Sequence, residues 1–187
     1  MLKKVSSKRR RAAGARIFIV ASTYNARYVN GMVRAAKATL TKAGATVDIV
    51  RVPGAFEIPV VAATLARSST PPAAIVCLGV ILRGATHHAQ TICDAITQSL
   101  ARTACDTGVP VIHEVLMVEN EQQARERCLD AKHNRGVEAA QTALEMVRVM
   151  IELYAVEDEH LRRLWTESPA QAHRRSARRS AEDDVPF

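Results

Sequence analysis

Residues 73–80 read Ala73-Ala74-Ile75-Val76-Cys77-Leu78-Gly79-Val80, an apolar run without charge and without polar alternation. A strand with one wet face alternates apolar and polar residues, whereas a strand covered on both faces stays apolar throughout. Residues 17–20 (Ile-Phe-Ile-Val) have the same character inside a segment spanning 16–22. Two further strand-like segments cover 46–52 and 109–118. Helix-length segments separate all four: 25–43, 56–66 and 87–106. In the first of these Val29, Met32, Val33, Ala36 and Leu40 share one face. Gly44 suits the end of that helix, Pro53-Gly54 breaks the second strand, and Gly108 resets the chain before the fourth. Strands joined through helices require right-handed parallel crossovers. The fold class is therefore α/β, a three-layer α/β/α sandwich around a four-stranded parallel sheet.

After the fourth strand a helix is expected near 120–130, and a long last one after Asn134-Arg135-Gly136. The last helix carries Val137, Ala140, Leu144, Val147, Ile151 and Tyr154 at alternating steps of three and four. That stripe predicts a face packed on the sheet, with a subunit contact as the other use of so regular a seam. Beyond residue 156 the chain turns charged and then rich in Arg, Ser and Ala, with a short helix expected around 161–165.

The 187 residues are 48% hydrophobic and 4% aromatic, enough apolar material for one domain with tails. The organisation expected is a basic disordered tail at 1–15, a domain at 16–155 and a charged, largely disordered extension at 156–187. No apolar run approaches a membrane span, and no signal-peptide order opens the chain, so a cytoplasmic protein is expected. The net charge of +7 is concentrated in the tail, where Lys3, Lys4, Lys8, Arg9, Arg10 and Arg11 stand without an acid. Nucleic acid enters only as a partner of that tail.

Four cysteines (Cys77, Cys93, Cys105, Cys128) form no metal-type spacing, and the six histidines include no H-E-x-x-H, so no metal is expected. Cys77 and Cys93 read as buried thiols.

Ligands of open parallel sheets bind at the carboxyl ends of the strands. Those ends carry Thr23-Tyr24-Asn25, then Pro53-Gly54-Ala55-Phe56-Glu57, then Arg83-Gly84-Ala85-Thr86-His87-His88, and the region around His113. Gly84 and Ala85 allow close backbone approach, and Thr86 is a natural cap for a helix starting at His87. A helix N-terminus there offers an anion site. His88, in the first turn, faces the positive end of the dipole, which favours a neutral ring able to take and return a proton; His87 points elsewhere. Glu57 is suited either to ligand hydroxyls or to the dipole of its own helix. Tyr24 either stacks on a planar ligand or packs under its loop.

Tyr24-Asn25, the run Val52-Pro53-Gly54-Ala55-Phe56-Glu57-Ile58-Pro59 and the run from Leu78 through Arg83-Gly84-Ala85-Thr86-His87-His88 resemble the lumazine synthase family. Glu121-Gln122-Gln123-Ala124, Arg127, Asn134-Arg135-Gly136 and Glu138-Ala139-Ala140 continue the likeness in order, over residues 16–150. The resemblance implies a flavodoxin-like lumazine synthase fold. It also implies condensation of 5-amino-6-ribitylaminouracil with 3,4-dihydroxy-2-butanone 4-phosphate. The products are 6,7-dimethyl-8-ribityllumazine, phosphate and water, with no cofactor. By the same resemblance His88 is the proton shuttle and Tyr24 stacks on the uracil. Ala55, Phe56 and Glu57 line the ribityl site, and Val80, Ile81 and Leu82 the heterocycle site. Ala85 and Thr86 cradle the phosphate with Arg127, which a neighbouring subunit contributes. Asn25, Gly54, Gly84 and Arg135 lie in the same substrate-binding segments.

The sequence departs from the family pattern at His113, where a pocket-closing phenylalanine is usual, at Ala89 and Gln90 after His88, and at Arg135 in place of a lysine. The partners implied are small-molecule substrates, other copies of the chain in a pentamer or sixty-subunit shell with sites between subunits, and a functional link to riboflavin synthase. A weak or inactive relative that binds a flavin-like ligand, or serves as a shell, is the alternative these departures leave open.

Overall fold

A computed structural model describes residues 14–84 and 87–166, with side chains described up to residue 159. The chain falls into two units, one ending at Arg148 and the other starting at Val149. In the first unit the four strands are β1 (Arg16–Ser22), β2 (Thr46–Val52), β3 (Ala74–Leu82) and β4 (Val111–Val118). They form one sheet in the order β2-β1-β3-β4, and every pairing is parallel. β4 begins two residues later than expected because Pro110 has no N–H for the ladder, although its carbonyl still accepts from Ile75 N–H at 2.8 Å.

The helices are α1 (Ala26–Lys42), α2 (Ile58–Ala66), α3 (His88–Thr107), α4 (Glu121–Cys128) and α5 (Arg135–Thr166). The expected helix at 56–66 is divided: a 3-10 turn, Ala55–Glu57, precedes α2. Two apolar clusters, one on each face, make the sandwich. Ile17, Ile19 and Ala21 of β1 and Val76, Leu78 and Val80 of β3 pack with Val29, Met32, Ala36 and Leu40 of α1, Ala124 of α4 and Ala140, Ala143, Leu144 and Val147 of α5. On the other face Val20, Ile75, Cys77 and Val115 pack with Ile58 and Ala62 of α2 and Ile96 and Leu100 of α3. Burial of each Leu or Ile contributes about 1.5–3 kcal/mol, so the uninterrupted apolar character of β3 is what both layers are built on.

Close approach of α5 to α1 depends on Gly136, since a Cβ there would collide with the Met32 carbonyl. Asn134 holds that junction, donating from Nδ2 to Cys128 O at 2.6 Å and accepting from Gly136 N–H at 2.9 Å.

Along α5 the expected stripe divides. Ala140, Leu144 and Val147 are buried, whereas Ile151 and Tyr154 are exposed. Periodicity reports an amphipathic face, not what covers it. The described part of the second unit is helical throughout, so the short helix expected at 161–165 is part of α5 and not a separate element. Leu153 and Val156 are exposed there as well. The basic tail, apart from Gly14 and Ala15, and the chain beyond Thr166 lie outside the described residues. Among the described residues no helix is long and apolar enough to cross a membrane.

Candidate active site

The sheet order makes the site. From β1 the chain crosses over one face to β2, then returns over the other face to β3, so the crossover direction reverses between β1 and β3. A crevice at the carboxyl ends of such strands is where α/β sheets take ligands. Its walls are tied together: Thr23 N–H donates to Val52 O at 2.8 Å, Tyr24 N–H to Pro53 O at 3.0 Å, and Arg83 N–H to Val118 O at 2.9 Å. Asn25 spans the crevice itself, donating from Nδ2 to Val80 O at 2.8 Å. Its backbone is left-handed (φ 56°), a conformation Asn tolerates better than other side-chain-bearing residues. Asn25 thus fixes the distance between the β1 and β3 ends.

Around that frame stand most of the residues singled out in the sequence. Tyr24 and Phe56 are strongly exposed, 74% and 60%, two large apolar rings at one edge of the sheet. Val80 is buried, Ile81 and Leu82 are half-buried, and Gly84 has open space where a side chain would go among the described residues. Glu57 bends back to accept from Gly54 N–H at 2.8 Å, so one carboxylate oxygen serves the start of its own helix. A Cβ on Gly54 would crowd that same oxygen, so a larger residue there would push the Glu57 carboxylate aside.

His88 is the first residue of α3 and is exposed. The helix starts one residue later than expected, with His87 at the capping position and no side-chain cap bond. Ala85 and Thr86, expected to cradle an anion and to cap the helix, lie outside the described residues. Ala89 is buried, and Gln90 turns along the helix to donate to Asp94 at 2.8 Å. Neither therefore orients His88.

His113 is not at a carboxyl edge. It is the third residue of β4, paired with Cys77 in the middle of β3. Its position five residues before Val118 puts it about 16 Å below the strand's carboxyl end. Its Nε2 lies 3.1 Å from Thr97 Oγ1 on α3. Thr97 is nine residues beyond His88, about 13 Å along the helix axis, so His113 and His88 of one chain do not meet. An apolar run shows that a strand exists but not which of its residues reaches the edge. Partial enclosure against α3 holds the His113 pKa below its ordinary value, desolvation being the main cause, so the ring is neutral near pH 7.

Arg127 and Arg135 gather elsewhere, on the face shared by α4 and α5. Between them stands Glu114 of β4, which the sequence reading passed over. Arg135 donates from Nε to Glu114 Oε1 at 2.7 Å and from Nη1 to Glu138. Burial raises the Glu114 pKa, and Arg135, together with the charge of Arg127, partly offsets that rise. The Arg135 pKa is also raised: burial opposes the shift, but the Glu114 and Glu138 carboxylates outweigh it. A signal for Glu114 was present, a lone carboxylate inside the apolar run Val111–Val118. Within one chain, then, the candidates form two groups. One lines the carboxyl ends of β1, β2 and β3 with His88; the other lies along β4, an edge strand, and the α4 and α5 helices beside it.

Cys77 is fully buried, and burial pushes its thiol well above the usual range. Cys128 is buried with its pKa raised to about 11. Cys93, expected inside, is only half-buried. Among the described residues no cluster of His, Cys, Asp or Glu is arranged to hold a metal.

The model of the family described as 6,7-dimethyl-8-ribityllumazine synthase matches residues 14–151. A Kineococcus radiotolerans protein of that name is 44% identical over 138 residues, 72% of this chain and 84% of its own length. The Mycobacterium avium protein of the same name is 41% identical over 147 residues, covering 77% and 90%. A Xylella fastidiosa relative, again of that name, is 42% identical over 146 residues, covering 76% and 94%.

Proposed function

The chain belongs to the 6,7-dimethyl-8-ribityllumazine synthase family, and from that premise we propose how its residues carry out the family's reaction. The enzyme is a transferase of riboflavin biosynthesis that joins 5-amino-6-ribitylaminouracil to 3,4-dihydroxy-2-butanone 4-phosphate and releases 6,7-dimethyl-8-ribityllumazine, phosphate and water. One observation supports the reading: of the segments that carry the resemblance, Tyr24-Asn25, Pro53-Gly54 and the end of β3 meet around the crevice where the sheet reverses its crossover, the place where such folds bind ligands.

The chemistry is attack of an aromatic amine on a ketone, loss of water to an imine, elimination of phosphate to an enol that tautomerises to a ketone, attack on that ketone by the ribityl-bearing nitrogen and loss of a second water. Each step moves a proton between groups already in contact, so holding the two substrates together supplies much of the rate. His88 takes and returns those protons from the first turn of α3. Tyr24 stacks on the uracil, and Val80, Ile81 and Leu82 form the apolar floor beneath it. Ala55, Phe56 and Glu57 receive the ribityl chain. Arg127 meets the phosphate, the one strongly charged group of either substrate, with Ala85 and Thr86 beside it. His113, neutral and flat, closes the pocket, though it buries less apolar area than a phenylalanine would.

The active site lies between two subunits. Support comes from the division described above: His113 is remote from His88 within the chain, and Arg127 is carried by α4, whose Ala124 and Cys128 pack on the opposite sheet face from α3. A contact between two different patches is heterologous, and when its rotation closes it builds a ring. The ring of the family resemblance is a pentamer.

The direct test is to mix the purified protein with both substrates and follow lumazine formation against the uncatalysed background. Acceleration over background is expected. Binding of the ribitylaminouracil without acceleration would overturn the catalytic reading in favour of a binding relative.

A further inference from the structure

Glu114 is the one buried carboxylate among the described residues, 6% exposed, in a strand that apolar residues would serve equally well. Taking a carboxylate out of water costs several kcal/mol, and a buried ion pair rarely recovers more than that cost. Stability therefore gives a poor reason for its presence. Its geometry gives a better one. Glu114 Oε1 accepts from Arg135 Nε at 2.7 Å, while Glu138 on the next turn of α5 accepts from Nη1. The guanidinium is gripped on two sides, and its Nη2 hydrogens have no partner among the described residues. The Arg135 side chain remains 31% exposed, so that free edge has access to a ligand. A fork held in this way loses little rotamer freedom when it donates to a substrate.

We propose that Glu114 is a positioning residue that presets the guanidinium of Arg135 for substrate. The proposal rests on the reading of Arg135 as a substrate-binding residue of the active site. Glu114 touches no substrate. It acts through Arg135 by fixing the plane and direction of the donor, and Glu138 completes the grip from the more exposed side. The other charge facing Glu114 is Arg127 of α4.

The test uses the full-length, assembled enzyme and measures kcat, the KM of each substrate and the melting temperature. Arg135→Ala first identifies the substrate that Arg135 holds, through a rise in KM of about tenfold. Glu114→Leu, which replaces a buried charge with a side chain of similar volume, is expected to raise the KM of that same substrate several-fold. It should leave kcat within about twofold, the Arg135 charge being still paired with Glu138 and partly in solvent. Glu114→Gln, whose amide oxygen still accepts from Nε, should restore most of the lost affinity, and Glu114→Ala takes the place of the leucine variant if that one fails to fold. A KM for that substrate unchanged in Glu114→Leu, or in Glu114→Ala in its place, while Arg135→Ala raises it would overturn the positioning role. So would a rise in both KM values together with a lowered melting temperature, which marks a structural role. If Arg135→Ala leaves both KM values unchanged, the placement of Arg135 in the site is what fails.

Discussion

Replacing His88 by alanine is expected to lower kcat by about 10²-fold while changing the KM of either substrate by less than about threefold. The size follows from what the residue is asked to do. His88 stands exposed at the start of α3, beside the loop that leaves β3. From there it can reach a bound ligand but contributes little surface to holding one. Proton transfer by a positioned imidazole is worth about 10²–10⁴ in rate. The lower end is expected here because no side chain among the described residues hydrogen-bonds the ring to fix its direction, Gln90 being engaged with Asp94. Juxtaposition of the substrates continues to act in the variant, so turnover should remain above the background. Single-turnover and steady-state rates of lumazine formation check this. A kcat within twofold of the unsubstituted enzyme would remove His88 from the mechanism.

Arg127→Ala is expected to raise the KM of the phosphate-bearing substrate by about 10- to 100-fold, the loss of a charge-assisted pair worth about 1.5–3 kcal/mol. The KM of the ribitylaminouracil, an uncharged partner, should change by less than about twofold. Arg127 is exposed near the end of α4. Arg125 supplies the control: its guanidinium is committed to Glu121 at 2.9 Å, one turn back on the same helix. Arg125→Ala removes the same charge from the same helix and is expected to leave both KM values unchanged. Equal weakening of both substrates by Arg127→Ala would contradict a phosphate role, and an equal effect of Arg125→Ala would reduce that role to general electrostatics.

The fold was legible where burial leaves a one-dimensional trace. β1 and β2 begin and end at the residues expected, and Gly44 and Gly108 adopt the left-handed conformations their places at the ends of α1 and α3 suggest. Asn25, Gly54 and Glu57 were found because turn chemistry marks the carboxyl edge. Other features depend on the third dimension. His113 and Glu114 are neighbours in sequence, yet strand alternation sends one to α3 and the other to Arg135. Nothing in the run from Val111 to Val118 says which of the two is buried. Ile151 and Tyr154 continue the α5 stripe in perfect step, but they are exposed, since spacing describes a face and not its cover.

The claim that most needs testing is that two chains build each active site. His88→Ala and Arg127→Ala chains can be unfolded together, refolded as a mixture and assayed with the phosphate-bearing substrate well below the KM of the arginine variant. If His88 comes from one subunit and Arg127 from its neighbour, random assembly leaves about one site in four with both groups intact. The mixture should then recover about a quarter of the activity of refolded unsubstituted enzyme, far above either variant alone. Activity no greater than the average of the two separately refolded variants would contradict the shared site and return both residues to a single chain.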